Sequence, residues 1–463
     1  MASIAKGKAR EGSQDATMRQ MEELNLRLLE EFKTEDATAQ SRGYTVTSTL
    51  DLRTMPEDEA SYSAAQVANI FTTQPQGGPH SENVECILHS PAAKRELIEY
   101  PNYPQPTPRS LTNPYILDED SREDGDGESP PYEIAEVPSK GLGMLATRDI
   151  PQGAFIMSER PLMIGPQEHH LNAHNMVFSA SATTRQRQRA TLTEAEKTFR
   201  VAFARMDPEN QALYMALHNA HRSDGSGPLM GVMRTNAYEV CHLDGRLYTG
   251  VFKDLSRINH SCSPNTTSYF DRASLSKLLF AARDIPAGTE ITSQYCGLLQ
   301  PRAARVQALK AYGFRCTCAA CTKPLESDTN RLRISRMKDA VPAIVKWAGN
   351  PALPDDLLLR PALAMLELIE AEGLEGSPAH IRALYHVVLI MQVLAVAKAP
   401  DARLLVYALK WAVLSWCRME VDREQQAKFK KERESVMAAA MVRAGLVPDG
   451  EGKGLGTVQG NTE

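Results

Sequence analysis

The chain has no excess of basic residues: 52 Lys and Arg face 57 Asp and Glu, a formal net charge of -5. Without a basic bias, nucleic acid is not the default partner. Long hydrophobic runs are missing as well. The longest, Val387 to Ala397, is broken by Gln392 and falls short of the roughly 20 residues that span a bilayer. The first ten residues are polar and basic with no apolar stretch behind them, so no secretory signal is expected. The expectation is a soluble protein kept reduced inside the cell, in the nucleus, the cytoplasm or both. Its 463 residues, 42% of them apolar, are enough for more than one folded unit.

Cysteine is scarce and unevenly placed: 8 in all. Outside a secretory route disulfides are not expected, and clustered cysteines read as metal ligands or reactive thiols. Cys86, Cys241 and Cys417 stand alone and read as small buried hydrophobes. Cys296 shows no neighbouring base or other local sign of a lowered pKa. Cys316, Cys318 and Cys321 follow the turn-forming Gly313 with C-x-C-x2-C spacing. Three ligands cannot complete a tetrahedral structural zinc site. Cys262, within the polar run Ser256-Arg257-Ile258-Asn259-His260-Ser261-Cys262-Ser263-Pro264-Asn265, is the natural fourth. The plain alternative is a set of ordinary reduced thiols.

The texture of the chain changes several times. Residues 1–128 are rich in Ser, Thr, Gln and Pro and are expected to be mostly disordered. One helix is expected there, at about 18–35, because Met21, Leu24, Leu28 and Phe32 share a face. Asp118 to Glu128 reads as a solvated acidic linker. From Tyr132 the pattern alternates as strands do, with turns at Ser139–Gly143 and at Asp149-Ile150-Pro151-Gln152-Gly153. A similar phrase returns at Asp284-Ile285-Pro286-Ala287-Gly288, suggesting a unit of small sheets. A helical insert covers about 165–230, with one helix opening near Thr193 and another at Asp207-Pro208. Strand signals resume from Thr235 to Phe252. After Cys321 the chain reads as helices separated by Pro354, Gly373, Pro378, Pro400 and Gly445, up to residue 446. Such a series suggests a bundle or repeat array and often a peptide-binding surface. Residues 447–463 are Gly-rich and expected to be disordered.

Four motifs in order carry a family resemblance. Lys140-Gly141-Leu142-Gly143, the Arg257–Asn265 run, Glu290-Ile291-x3-Tyr295 and the cysteine triplet together resemble a SET-domain protein-lysine methyltransferase with a post-SET zinc loop. The helical insert and C-terminal helices make it similar to the SMYD-like branch. The insert has no cysteine, so the MYND finger typical of that branch is not expected. The resemblance covers about Tyr132 to Thr322 and, more loosely, the helices beyond. It implies an α+β fold: a SET domain over 129–298, a post-SET zinc loop over 299–324 and an all-α region over 325–446.

The resemblance also implies S-adenosylmethionine as methyl donor, a protein lysine as acceptor, histone or not, and a structural zinc. By position, Lys140, Gly141, Leu142 and Gly143 would lie along the donor. Asn259 and His260 would hold its amino-acid part and adenine, with Asn236 a less specific contact. Phe314 would stack on the adenine. Tyr295 would be the catalytic residue. At an ordinary pKa of about 10 its phenol is a poor base, so positioning is its expected role. Tyr312 would line the lysine channel. Cys262, Cys316, Cys318 and Cys321 would hold the zinc. Plain alternatives stand beside these: a hairpin turn for the glycines and core packing for Tyr312 and Phe314. Gln294 departs from the small residue usual before the tyrosine. Two other readings stay open, a SET-fold binding module without turnover and a chromatin-bound regulator working through its terminal regions.

Overall fold

The computed structural model describes residues 44–46, 71–74, 84–88, 91–99, 130–166, 176–178, 181–243, 245–271, 275–397 and 423–446, with positions 403, 404, 407, 408 and 411. The expected helix at 18–35, the acidic run and the tail lie outside these residues. So does Cys417.

The strands are β1 (Tyr44–Val46), β2 (Phe71–Gln74), β3 (Val84–Ile87), β4 (Tyr132–Val137), β5 (Gly141–Ala146), β6 (Phe155–Glu159), β7 (Met163–Pro166), β8 (Met176–Phe178), β9 (Tyr238–Leu243), β10 (Arg246–Val251), β11 (Asn259–His260), β12 (Thr266–Asp271), β13 (Ser276–Ala281) and β14 (Glu290–Ser293). They form small sheets: β2-β3-β7-β10-β9, β11-β14-β5-β4, β12-β13-β6 and the pair β1-β8. The fold is α+β, as the motif order implies.

The two similar phrases pair with each other. Ile150 and Ile285 exchange backbone hydrogen bonds at 2.9 and 2.8 Å. Asp149 accepts from the Ala287 N–H at 2.8 Å, and Asp284 accepts from the Gln152 N–H at 2.7 Å. Each aspartate thus closes the other's turn. Gly153 and Gly288 sit at φ of 81° and 78°, where a side chain would be strained.

The expectation of a mostly disordered first 128 residues fails at 84–99. Val84, Cys86, Ile87 and Leu88 are fully buried, and β3 runs parallel to β7. Helix α1 (Pro91–Glu99) adds Ala93 and Leu97 to the same core. A strand covered on both faces reads as a short apolar run rather than an alternation, which hides it within polar sequence. Its one acid, Glu85, is 2% exposed and paired with Arg205 at 2.9 Å.

The insert contributes α2 (Thr184–Arg205), α3 (Pro208–Met215) and α4 (Pro228–Asn236). Helix α2 begins earlier than Thr193. Thr183 and Gln186 form a reciprocal capping box, and the Thr193 hydroxyl donates to the Arg189 carbonyl within the helix. Helix α3 does start at Pro208, after Asp207. Then follow α5 (Arg302–Leu309), α6 (Ala319–Thr322), α7 (Pro324–Ser335), α8 (Val341–Ala348), α9 (Asp356–Ala371), α10 (Pro378–Ala397) and α11 (Arg423–Arg443). Over its first 19 residues α10 is long and apolar enough to cross a membrane, but 72% of that window is buried inside the molecule. It also carries His380 and His386, paired with Glu370 and Asp339. We read it as the central helix of the helical region. Ile369, Leu374, Leu384 and Val387 pack there, with Ile344, Trp347 and Val393 in a second cluster.

Candidate functional site: the β11–β14 junction

The chain crosses itself at β11. Asn259 and His260 pair in parallel with Thr292 and Ser293 of β14. The Ser261 N–H then donates to the Ser293 carbonyl at 2.9 Å. Asn265 locks the far side like a piece of strand: its Nδ2 donates to the Glu290 carbonyl at 2.9 Å, and its Oδ1 accepts from the Thr292 N–H at 2.7 Å. Two short strands are thereby held by side-chain amides where a ladder would be too short to hold them.

The glycine turn packs directly on this junction. The Asn259 amide donates to the Leu142 carbonyl at 3.2 Å and to Glu290 Oε1 at 2.9 Å. Lys140 pairs with Glu290 Oε2. A Cβ at Gly143 would lie 2.6 Å from Val137 Cγ2 and 2.8 Å from Asn259 Nδ2. Gly143 is therefore glycine to admit Asn259, and Gly141 (φ +74°) to make the turn. Glu290 joins Lys140, Asn259 and, through its carbonyl, Asn265. Sequence reasoning passed over it. Its position at the start of the Glu-Ile-x3-Tyr phrase was the available signal.

Tyr295 follows β14. Its hydroxyl donates to the Ile258 carbonyl at 2.7 Å, and its N–H donates to His260 Nδ1 at 3.0 Å. Burial, with Tyr238 and Tyr312 adding, pushes the phenol well above its ordinary pKa, so it stays protonated. The Tyr295 ring lies 4.8 Å from Tyr312, 5.4 Å from His260 and 6.3 Å from Phe314. Gly313, at φ +75°, reverses the chain between Tyr312 and Phe314. Phe314 is 40% exposed and 6.1 Å from His260. The structure thus brings Asn259, His260, Tyr295, Tyr312 and Phe314 together. Tyr238 joins from β9, its hydroxyl donating to the Leu255 carbonyl at 3.0 Å. No motif marked it.

Asn236 is placed differently. It ends α4, 8% exposed, and its amide donates to the carbonyls of His218 and Val232 at 2.7 and 2.8 Å. Its own carbonyl accepts from Ser256 at 3.2 Å, at the entry to the junction.

The sulfurs of Cys262, Cys316, Cys318 and Cys321 all lie within 4.8 Å of one another. Cys262 is 4.0 Å from Cys316 and 3.6 Å from Cys321. Tetrahedral zinc–thiolate bonding needs about 3.8 Å between sulfurs, so the set fits the metal. The N-terminus of α6 creates the spacing, with the Cys321 and Thr322 N–H groups donating to the Cys318 carbonyl. Because His260 Nδ1 accepts from Tyr295, its proton is assigned to Nε2, 3.3 Å from Cys262 Sγ. Donation to a ligating thiolate is a usual supporting contact around metals.

Charge fits as well. Four thiolates on a divalent ion leave two negative charges, and two guanidinium groups, Arg305 and Arg331, are fully buried beside them. Burial alone would lower Arg305, but the sulfurs of Cys262 and Cys321 more than offset it and its pKa is raised. Cys296 also sits here, with Cys262 and His260 within 4.8 Å. Sequence offered it no base, whereas the fold supplies both neighbours.

Residues 141–296 match the family model for the SET domain. Over that segment the chain is similar to the SET domain. Relatives of that domain include the histone-lysine N-methyltransferase set5 of Schizosaccharomyces pombe, 30% identical over 192 residues, 41% of this chain and 50% of that protein. The Drosophila melanogaster SET domain-containing protein SmydA-8, isoform A, is 38% identical over 105 residues, 22% of each chain. The N-lysine methyltransferase SMYD2 of Gallus gallus is 32% identical over 118 residues, 24% of this chain and 26% of that one. The chain spans half or less of the length of these curated relatives. The matched segment includes Gly141–Gly143, the junction, Cys262 and Tyr295, while Lys140 lies just before it and Tyr312, Phe314 and the cysteine triplet just beyond it.

Proposed function

We propose that this chain transfers methyl groups from S-adenosylmethionine to lysine side chains of a protein, histone or non-histone. The observation that carries the reading is the placing of Tyr295. Its hydroxyl is fixed by Ile258 and its backbone by His260, and it faces two further aromatic rings beside the Asn259–His260 turn.

The donor, when bound, supplies a methyl group on a sulfonium, a leaving group that needs no acid. The chain's own work is alignment and desolvation. The acceptor amine must be neutral, although free lysine has a pKa of about 10.4. A channel lined by Tyr295 and Tyr312 would strip water from the ammonium and favour its loss of a proton to solvent, with Phe314 stacked on the adenine. Protonated Tyr295 acts as a dipole, not a base. The ring faces would attract the sulfonium of the donor. Asn259, His260 and the Lys140–Gly143 turn would hold the donor, with Asn236 behind them. The four cysteines would bind one zinc with no open position, folding the Tyr312–Cys321 segment against the junction. The C-terminal helices would bind part of the protein substrate or a partner.

The test is a cell extract incubated with labelled S-adenosylmethionine and the protein, beside a Tyr295→Phe control. Labelled lysines in discrete proteins, lost with Tyr295→Phe, are expected. Donor binding without labelled protein would turn the reading toward a binding module.

A further inference from the structure

Among the described residues the helical region meets the junction at the turn Glu372–Gly376, between α9 and α10, with Arg331 of α7 beside it. The Ser263 hydroxyl, next to Cys262, donates to the Glu372 carbonyl at 2.7 Å. Arg283, two residues past β13, grips the same turn, donating to the carbonyls of Ser263 at 2.7 Å and Gly373 at 3.3 Å, and to that of Pro264. Arg331, fully buried on α7, donates to Ser263 Oγ at 3.3 Å, to the Glu372 carbonyl at 3.3 Å and carboxylate at 3.2 Å, and to the Leu298 carbonyl. A Cβ at Gly373, where φ is +65°, would stand 2.8 Å from Ser263 Cβ and 2.6 Å from Arg283 Nη1.

The helices are packed on one another by their own apolar clusters, so these polar groups are not needed for that. The polar groups converge on Ser263 and Pro264. That segment is bound on its other side to β14 through Ser261 and Asn265. A turn fixed at both faces has one orientation, and a guanidinium satisfied by partners from two elements loses them together if either moves. Asn259, His260 and Cys262 lie on the same short stretch of backbone.

We infer that Glu372 and Gly373, through Ser263, Arg283 and Arg331, form a positioning clamp that sets the geometry of the donor site from the helical region. The inference rests on the donor-site reading above. These residues would not touch donor or lysine; they would act through the Asn259–Cys262 backbone.

Ser263→Ala, Gly373→Ala, Arg283→Met and Arg283→Lys proteins would be titrated with S-adenosylhomocysteine by calorimetry, with zinc content measured on each sample. About tenfold weaker binding is expected for the first three, from loss or displacement of one or two anchoring hydrogen bonds, at unchanged zinc content. Arg283→Lys should recover part of the loss. Hydrogen exchange gives the second readout. In the wild-type protein the ligand should slow exchange across 372–381, and in Ser263→Ala it should not. Wild-type binding with both alanine variants within twofold of it, and no ligand-dependent protection at 372–381, overturns the clamp alone. No binding by the wild-type protein overturns the donor reading and the clamp with it.

Discussion

The β11–β14 junction and the helical region after Cys321 are held together by opposite means. The junction has strands of two and four residues, and its order comes from side chains bonded to backbone, those of Asn259, Asn265 and Tyr295, and from the four clustered cysteines. The helical region is ordered by apolar burial along α8, α9, α10 and α11. A hydrogen-bonded junction is specific to its residues, because each unmade bond leaves a buried polar group unpaired. An apolar bundle tolerates exchange of side chains of similar volume. The first arrangement can hold a small ligand in one geometry, and the second can serve as a scaffold.

Removing the metal should break the contrast most severely. Structural zinc in small peptides contributes an apparent 10–16 kcal/mol or so. Chelation, or Cys316→Ser, should unfold the Tyr312–Cys321 segment and abolish donor binding while the α10 core keeps its slow hydrogen exchange. Full donor affinity in Cys316→Ser would separate the two sites. Next in size is Tyr295→Phe, which removes the hydroxyl held by Ile258. Methyl transfer should fall about 100-fold, by analogy with loss of one preorganised donor, with little change in melting temperature. A melting point lowered as much as the rate would make Tyr295 a packing residue.

In the bundle, Ile344→Ala should cost about 2–5 kcal/mol in denaturant unfolding, because Ile344 is fully buried, and leave donor affinity unchanged. Loss of donor affinity there would show that the helices do more than support the clamp. The smallest effect concerns Glu159, which caps the turn leading into β11 by accepting from the N–H groups of Lys253, Asp254 and Leu255. Burial first, then Asp254, raises its carboxyl to about 7 despite those bonds. The folded protein therefore binds this proton more tightly than the unfolded chain. Its contribution to stability is present below about pH 4.5 and is lost as pH rises to about 7. Glu159→Gln should flatten that part of the stability curve; an unchanged curve would mean that the carboxylate stays ionised throughout.

The same contrast explains what could be read in advance. Asn259, His260, Cys262, Tyr295 and the cysteine triplet, which the structure brings together, could be picked out because their motifs keep fixed spacings. Helix positions after Cys321 were legible from periodicity and from Pro and Gly stops. Strand β3 was not, since a parallel strand buried on both faces carries no alternation. Tyr238, Arg305 and Arg331 were invisible for another reason, whereas Glu290 stood in the Glu-Ile-x3-Tyr phrase and was passed over. A single tyrosine or arginine has no local signature, and each acts here through partners far away in sequence. Gly143 was noticed for closeness to a ligand, whereas its missing side chain makes room for Asn259.

The central claim is that the junction is a donor site built around Asn259. Calorimetric titration with S-adenosylmethionine compares the wild-type protein with Asn259→Ala at matched zinc content. The account predicts one site per chain in the wild type and at least about tenfold weaker binding in the variant, from loss of the amide that ties the turn to Leu142 and Glu290. No heat from the wild type, or equal affinity in both proteins, would contradict it.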